Sequence, residues 1–177
     1  RLERHPSVHS GPDGDRVVLV GQHLPAARRH RERVVPGMVQ VVGAGPAGLA
    51  YATVAAQRGH RVTLFDSASE IGGQFNYAKQ IPGKEEFHET LRYYSNMLAK
   101  HHVEVKLNHL TNADELSKSG FDEIILATGI SARSIKLTGS ENPKVLSYLD
   151  VLRDKKPVGK SVAIIGAGGI GFDVAEY

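Results

Sequence analysis

Short apolar runs alternate with alanine-rich or amphipathic stretches through residues 38–177. An apolar run at 39–42 leads through a glycine-rich turn into an alanine-rich stretch over 47–58, which predicts a strand, a turn and a helix. Gly59 is expected to end that helix in the left-handed conformation. Residues 61–66 alternate apolar and polar positions and predict a second strand. These segments together predict a βαβ unit.

The same alternation continues along the rest of the chain. Residues 67–83 are rich in glycine and polar residues and predict a loop. Further strands are predicted over 103–107, 121–128 and 161–165, further helices over 84–101 and 145–153, and a short polar helix or turn over 113–117. The helix over 84–101 has one apolar stripe, so Tyr94 on that stripe is expected to pack in the core rather than on a base or flavin. The pattern predicts an α/β fold with a parallel sheet flanked by helices.

Residues 1–37 differ from the rest of the chain in composition. They contain seven Arg, no Lys and four acidic residues, whereas the other residues include 15 basic and 15 acidic ones. The whole net charge of +3 therefore lies in this segment, and the body of the chain lacks the basic surface typical of nucleic-acid binding. The segment has one short apolar run, at 17–20, and no sustained periodicity. We expect it to be unstructured or foreign to the domain, although the arginines at 28–31 could also form a patch for nucleic acid or a membrane surface.

Membrane, disulfide and metal chemistry find little support in the sequence. No apolar run approaches the roughly 18 residues of a membrane helix, and the first residues lack the apolar segment of a secretory signal, so a cytoplasmic location without membrane partners is expected. The chain has no cysteine, which excludes disulfides, thiolate catalysis and cysteine-ligated iron–sulfur clusters on this sequence. His101, His102 and His109 have no compact metal-ligand spacing and are expected to be surface residues.

A glycine-rich loop after the first predicted strand carries the strongest chemical signal. In the pattern G-x-G-x-x-G, Gly43 suits a tight turn, Gly45 lets the backbone approach a pyrophosphate, and Gly48 allows close helix packing. The following helix start offers N–H groups and the positive end of its dipole to an anion. Asp66 ends the second strand, where a carboxylate accepts hydrogen bonds from ribose hydroxyls and repels a 2′-phosphate. The loop therefore predicts a Rossmann-like domain that binds FAD or NAD.

A second loop of the same pattern follows the strand predicted over 161–165. It contains Gly166, Gly168, Gly169 and Gly171. Two such loops predict two dinucleotides, usually a flavin and a nicotinamide. The strand that would carry the ribose acid or a phosphate-binding Arg does not follow in the sequence, so the choice between NAD and NADP stays open.

Longer motifs bring in a family resemblance. VVGAGPAGLA (41–50), LFD (64–66), IGGQF (71–75) and ILATG (125–129) resemble the FAD-binding half of the two-dinucleotide flavoproteins. IGGQFNYAKQIPGKEEFHETLRYY (71–94) and KVLSYLDVLRDKKPVGKSVAIIGAGGIGFD (144–173) resemble the C-terminal region of the NADPH-dependent 2,4-dienoyl-CoA reductases of the flavin and iron–sulfur type. In that family an old yellow enzyme-like barrel is fused to this two-dinucleotide module.

The resemblance implies a function and a set of site residues. Such enzymes pass electrons from NADPH to FAD, then through a 4Fe-4S cluster to FMN in the barrel, where a dienoyl-CoA of unsaturated fatty-acid β-oxidation is reduced. The FAD site would comprise Gly43, Gly45, Ala47 and Gly48 at the pyrophosphate, Asp66 at the ribose, Gly73 and Gln74 along the cofactor, and Thr128 and Gly129 at a strand end. The NADPH site would begin with Gly166, Gly168, Gly169 and Gly171.

The sequence also departs from that family. It contains no barrel, no cluster cysteines, no return segment to the FAD domain and no residue that would act on the enoyl substrate, so no catalytic residue is assigned. We expect a fragment, inactive alone, with a foreign or unstructured segment at 1–37, an incomplete FAD-binding domain at 38–144, and a linker with the start of an NAD(P)-binding domain at 145–177.

Two alternatives stay open. One is a flavoprotein of the trimethylamine dehydrogenase type, in which the corresponding site sometimes holds only ADP. The other is a non-catalytic nucleotide-binding module or truncated product. Disulfide reductases are disfavoured because they need a redox-active cysteine pair.

Overall fold

The computed structural model describes residues 16–19, 35–133 and 136–177. These residues form two compact units. The first comprises the described residues up to Gly73 together with Tyr93–Gly129, and the second comprises Gln74–Arg92 with Ile130–Tyr177.

A parallel sheet forms the centre of the first unit. Its strands are β1 (Arg16–Leu19), β2 (Met38–Val42), β3 (Arg61–Phe65), β4 (Glu104–Lys106) and β5 (Glu123–Leu126), in the spatial order β1-β5-β2-β3-β4. Val41 of the central strand β2 lies in register with Leu64 of β3 and Ile125 of β5, and all three are fully buried. Strands β2, β3 and β5 were predicted from the sequence, because a parallel strand with both faces covered is apolar along most of its length.

Helix α1 (Pro46–Gln57) packs on β2 and β3. Pro46 occupies the first turn, where its fixed φ suits a helix and its missing N–H costs nothing. Leu49, Ala52 and Ala55 are buried on the sheet side. The helix ends before Gly59, which has a φ of +94°, so the predicted helix and its end are confirmed within one residue.

Two more helices follow the predicted pattern. Helix α3 (Glu86–Lys100) has residues in both units, and Leu98 of its apolar stripe is buried in the first unit. Tyr94, which was expected in the core, is only partly covered and lies with its ring centroid 5.3 Å from that of Tyr93. Helix α4 (Ala113–Ser117) has the predicted bounds and begins at Asn112, whose side chain accepts a hydrogen bond from the Glu115 N–H.

The second unit contains helices α2 (Phe75–Ala78), α5 (Tyr148–Leu152) and α6 (Gly169–Glu176). Helix α2 falls in the stretch 67–83 that was predicted as loop. The strand predicted over 161–165 is wrong for the structure, where these residues form neither a strand nor a helix and are exposed. A strand needs a neighbour to complete its hydrogen bonds, and no strand of the described ranges pairs with this run.

The segment before Met38 differs from its prediction at four residues. Arg16–Leu19 forms β1, which pairs in parallel with β5 from Arg16–Glu123 to Leu19–Leu126. The run is too short to show a period, and its partner lies more than 100 residues away, so the sequence pattern did not reveal the pairing. The other predictions for residues 1–34, including the arginine patch at 28–31, lie outside the described residues. In the parts of the chain that the structure describes, no helix has the length and apolar character to cross a membrane.

Candidate functional site

The first glycine loop lies between the ends of three strands. Gly43 has a φ of +108°, and a Cβ there would lie 2.2 Å from the Ala127 carbonyl oxygen, just after β5. The Gly43 N–H donates to the Phe65 carbonyl oxygen at the end of β3, at 2.7 Å. Only glycine fits this position, because both the φ and the space exclude a side chain.

The other two glycines of the loop have different surroundings. A Cβ at Gly48 would lie 1.8 Å from the Gly43 carbonyl oxygen, so the helix can approach the loop only without a side chain. A Cβ at Gly45 would meet nothing within 4 Å. Gly43 and Gly48 are therefore required by packing, whereas Gly45 leaves open space in front of the helix.

That open space lies at the N-terminus of α1. Gly45 is the N-cap residue, and its carbonyl oxygen accepts the Leu49 N–H at 2.9 Å. Ala47 is exposed in the first turn, where a helix leaves N–H groups without partners of its own. An anion such as a pyrophosphate is stabilised there by these N–H groups and by the helix dipole.

Asp66 follows β3 and is held in place by backbone groups. Its Oδ2 accepts the Ala44 N–H of the glycine loop at 2.6 Å, and its Oδ1 accepts the Ala68 N–H at 2.8 Å. A carboxylate has about four lone-pair directions, so each oxygen retains capacity for a further donor. The carboxylate is thus fixed beside the glycine loop with capacity for ribose hydroxyls.

Asp66 lines a cleft at the carboxyl ends of the strands. The lining residues are Val42, Gly43, Asp66, Ser67, His109, Leu110, Thr111 and Thr128. Open parallel sheets bind their ligands at this edge. The cleft therefore brings together Gly43, Asp66 and Thr128 of the predicted site.

Gly72 and Gly73 lie against the glycine loop. The Gly72 N–H donates to the Ala44 carbonyl oxygen at 2.8 Å, and a Cβ at Gly73 would lie 3.0 Å from the Gly45 Cα. Gly73 has a φ of +51°. Gln74 begins the second unit, where its carbonyl oxygen accepts the Tyr77 and Ala78 N–H groups of α2. Gly129, with a φ of +75°, is the last residue of the first unit.

The second glycine loop repeats the local geometry of the first. Gly166 has a φ of +117°, and a Cβ at Gly171 would lie 2.3 Å from the Gly166 carbonyl oxygen. The N-cap residue Gly168 has φ −88° and ψ 179°, against −76° and −179° at Gly45. A Cβ at Gly168 or Gly169 would meet nothing within 4 Å. This loop therefore offers a second cradle of the same shape at the start of α6.

Sequence reasoning missed part of the cleft. His109 was predicted to be an ordinary surface residue, yet it lines the cleft with Leu110 and Thr111. These residues follow β4, and their position after a parallel strand was the signal that could have identified them. His101 and His102 lie at the end of α3, and the described residues contain no group of three possible metal ligands.

The residues present fit the adenosine and pyrophosphate part of a dinucleotide. An open glycine precedes a helix N-terminus, and a carboxylate oriented by two N–H groups lies next to it. Together they provide an anion site and a hydroxyl acceptor in the order that a nucleoside diphosphate requires.

Comparison with known proteins agrees with this geometry. Residues 37–177 match the family described as pyridine nucleotide-disulphide oxidoreductase. The chain belongs to this family. The α/β prediction is thereby confirmed, and an FAD/NAD(P)-dependent oxidoreductase family is established for this chain.

Individual relatives cover most of this chain. Cinnamate reductase of Clostridium sporogenes is 38% identical over 144 residues, which are 78% of this chain and 21% of the relative. The structure of 2-naphthoyl-CoA reductase in complex with 2-naphthoyl-CoA superimposes with a TM-score of 0.76 at 34% identity and covers 81% of this chain and 22% of that one. Histamine dehydrogenase from Rhizobium sp. 4-9 gives a TM-score of 0.55 at 28% identity, over 60% of this chain and 16% of that one. The chain thus spans about a fifth of the length of the relatives it matches.

Proposed function

We propose that this chain is the FAD- and NADPH-binding part of a reductase resembling the NADPH-dependent 2,4-dienoyl-CoA reductases. The first glycine loop and Asp66 bind the FAD pyrophosphate and ribose, and the second loop binds NADPH. The single observation that carries the proposal is the Asp66 carboxylate, held by the Ala44 N–H of the glycine loop at 2.6 Å. This contact joins the ribose acid and the pyrophosphate loop into one site.

When bound, the two cofactors supply hydride transfer from a nicotinamide to a flavin. The residues of this chain bind and orient: the glycine loops admit the diphosphates, and Asp66 accepts from the ribose hydroxyls. The proposal assigns the FMN and the 4Fe-4S cluster to the N-terminal part of the parent enzyme, since the present sequence has no cysteine to ligate a cluster.

The names of two relatives support the substrate class. One is a reductase of cinnamate and the other a reductase of 2-naphthoyl-CoA. The second substrate is an acyl-CoA, the class that we propose for the parent of this chain. A dienoyl-CoA of unsaturated fatty-acid breakdown is the specific substrate that the sequence motifs favour.

Substitution at Gly45 tests the cofactor site directly. Gly45→Val fills the open space at the helix start and is expected to abolish binding of FAD in isothermal titration calorimetry. Gly159→Val is the matched control, because a Cβ at Gly159 also meets nothing within 4 Å and Gly159 belongs to neither glycine loop. Equal affinity of Gly45→Val and the parent chain for FAD would contradict the site.

The second candidate function is an amine dehydrogenase of the trimethylamine dehydrogenase type. The match to histamine dehydrogenase favours it. Some flavoproteins of that type hold ADP instead of FAD at this site, so mass spectrometry and the visible spectrum of the purified chain show which nucleotide is bound. Bound flavin absorbs blue light, whereas bound ADP gives an adenine mass and no visible band.

A further inference from the structure

We propose that His109 positions the adenine base of the bound dinucleotide and that Glu115 holds its imidazole ring for this purpose. The inference rests on the proposed function, because it assigns a role within the same cleft. It adds to the pyrophosphate and ribose contacts a residue that would recognise the base.

The backbone brings His109 to the cleft. Asn108 follows β4 with a φ of +55°, and its N–H donates to the Ala68 carbonyl oxygen at 2.8 Å. The His109 N–H donates to the Asp66 carbonyl oxygen at 2.9 Å. The turn after β4 is therefore tied to the residue whose carboxylate is the candidate ribose acceptor.

Contacts on two sides hold the imidazole ring. Its Nε2 lies 2.7 Å from Glu115 Oε1, and its centroid lies 5.1 Å from that of Phe65, with the planes at 57°. Phe65 is buried as the last residue of β3. The Glu115 backbone is held by Asn112 at the start of α4. The His109 side chain remains 40% exposed, so the ring is held yet accessible.

The chemistry of a nucleotide places its base near this ring. One glycosidic bond joins the base to the ribose, so a ribose held at Asp66 leaves the base within the surrounding cleft. The residues that line this cleft together with Asp66 include His109, Leu110 and Thr111, which follow β4. Imidazole rings provide a flat surface on which bases stack, and the neighbouring leucine and threonine provide apolar contact.

A pair of ligands that differ only in the base tests the role. The probes are ADP and ribose 5-diphosphate, titrated calorimetrically into the 177-residue chain. His109→Ala is expected to weaken ADP binding roughly tenfold and to leave ribose 5-diphosphate unchanged, in line with the loss on removing one stacked ring. His109→Phe keeps a flat ring and is expected to retain most of the ADP affinity.

Two further variants separate the ring from general effects. Glu115→Ala is expected to lower ADP affinity less than His109→Ala, and to add nothing when both are combined, because Glu115 acts through the ring. His88→Ala, at an exposed position on α3 that does not line the cleft, is the control and is expected to change neither affinity. Thermal unfolding of each variant verifies that it is folded.

Each outcome bears on the proposal. A selective loss of ADP affinity in His109→Ala, with recovery in His109→Phe, supports it. Equal losses for both ligands, or no loss, would overturn the role of His109 while the cofactor site stands. Should His109→Ala fail to fold, weak ADP binding by the folded His109→Phe would overturn it instead. If the parent chain itself binds neither ligand, the proposed function fails, and the inference with it.

Discussion

The three glycines of the first loop are needed for two different reasons, close packing of the backbone and space for a ligand. Gly43 and Gly48 lie where a Cβ would meet backbone at 2.2 and 1.8 Å, whereas a Cβ at Gly45 would meet nothing within 4 Å. Substitution at the first two is therefore a question of folding, and substitution at Gly45 is a question of binding. The same division applies in the second loop between Gly171, which is crowded, and Gly168, which is open.

Gly48→Ala is expected to lower the free energy of unfolding by about 1–3 kcal/mol, because α1 must move away from the loop to admit a methyl group. Gly45→Ala is expected to change stability by less than about 0.5 kcal/mol, because its new methyl group meets nothing. Chemical denaturation of both variants and the parent measures these differences. Equal stability of the two variants would contradict the packing argument.

Asp66 is expected to select against a 2′-phosphate at the first site. The parent chain should bind ADP more tightly than 2′-phospho-ADP by about 1–3 kcal/mol, because the carboxylate loses a ribose hydroxyl and faces a phosphate instead. Asp66→Asn removes the negative charge and should reduce the difference in affinity between ADP and 2′-phospho-ADP. Titration calorimetry with the two nucleotides measures it, and equal affinities for the parent chain would disprove the selection.

Helix α5 shows how a short element is held by its ends. Ser147 and Asp150 form a capping box, in which the Ser147 N–H donates to Asp150 Oδ2 at 2.8 Å and the Asp150 N–H donates to Ser147 Oγ at 3.2 Å. Lys156 donates a further hydrogen bond to Oδ1 of the same carboxylate. The Lys156 ammonium and the Ser147 donors hold the pKa of Asp150 well below its ordinary value of 3.8.

The lowered pKa gives α5 a dependence on pH. A carboxylate with a depressed pKa in the folded state contributes stability that is present above its unfolded pKa and is lost as the pH falls through the folded pKa. We expect the Asp150 contribution to be complete at neutral pH and to fall below about pH 4. NMR titration of the Asp150 carboxyl should show a pKa below 3.8. The variant Asp150→Asn should lose less stability than the parent between pH 5 and 2, and an identical pH profile would contradict the argument.

At the scale of the whole molecule, the chain contains two glycine loops of one local geometry in two separate compact units. The first loop is surrounded by the parallel sheet, by Asp66 and by the cleft at the carboxyl ends of the strands. The second has its helix, but the described residues preceding it, 161–165, do not form a strand. The two sites therefore differ in how completely this chain builds them.

The 177-residue chain reconstituted with FAD is expected not to reduce a dienoyl-CoA with NADPH. Hydride transfer requires the nicotinamide to be held about 3–3.5 Å from the flavin, and the protein's contribution is that positioning. The sequence also has no cysteine to ligate the cluster by which electrons would pass onward. NADPH oxidation in the presence of a dienoyl-CoA is the measurement, with FAD-free chain as the control. A turnover number within tenfold of about 10 per second, the value of a typical enzyme, would contradict this prediction.

The sequence by itself determined the local parts of this protein. The first βαβ unit and the end of α1 at Gly59 follow from apolar spacing and from glycine at a positive φ, which depend on neighbours along the chain. The two glycine loops were recognisable for the same reason, since their N–H groups and conformations lie within six consecutive residues.

Tertiary structure alone decided the contacts between distant residues. The pairing of β1 with β5, the approach of Gly73 to Gly45 and the place of His109 beside Asp66 join segments that no periodicity connects. The apolar run at 161–165 looks like a strand in sequence, but a strand exists only where a neighbour accepts its hydrogen bonds. Local spacing could therefore identify the glycine loops. The residues that surround them come from distant parts of the sequence and are brought there only by the tertiary fold.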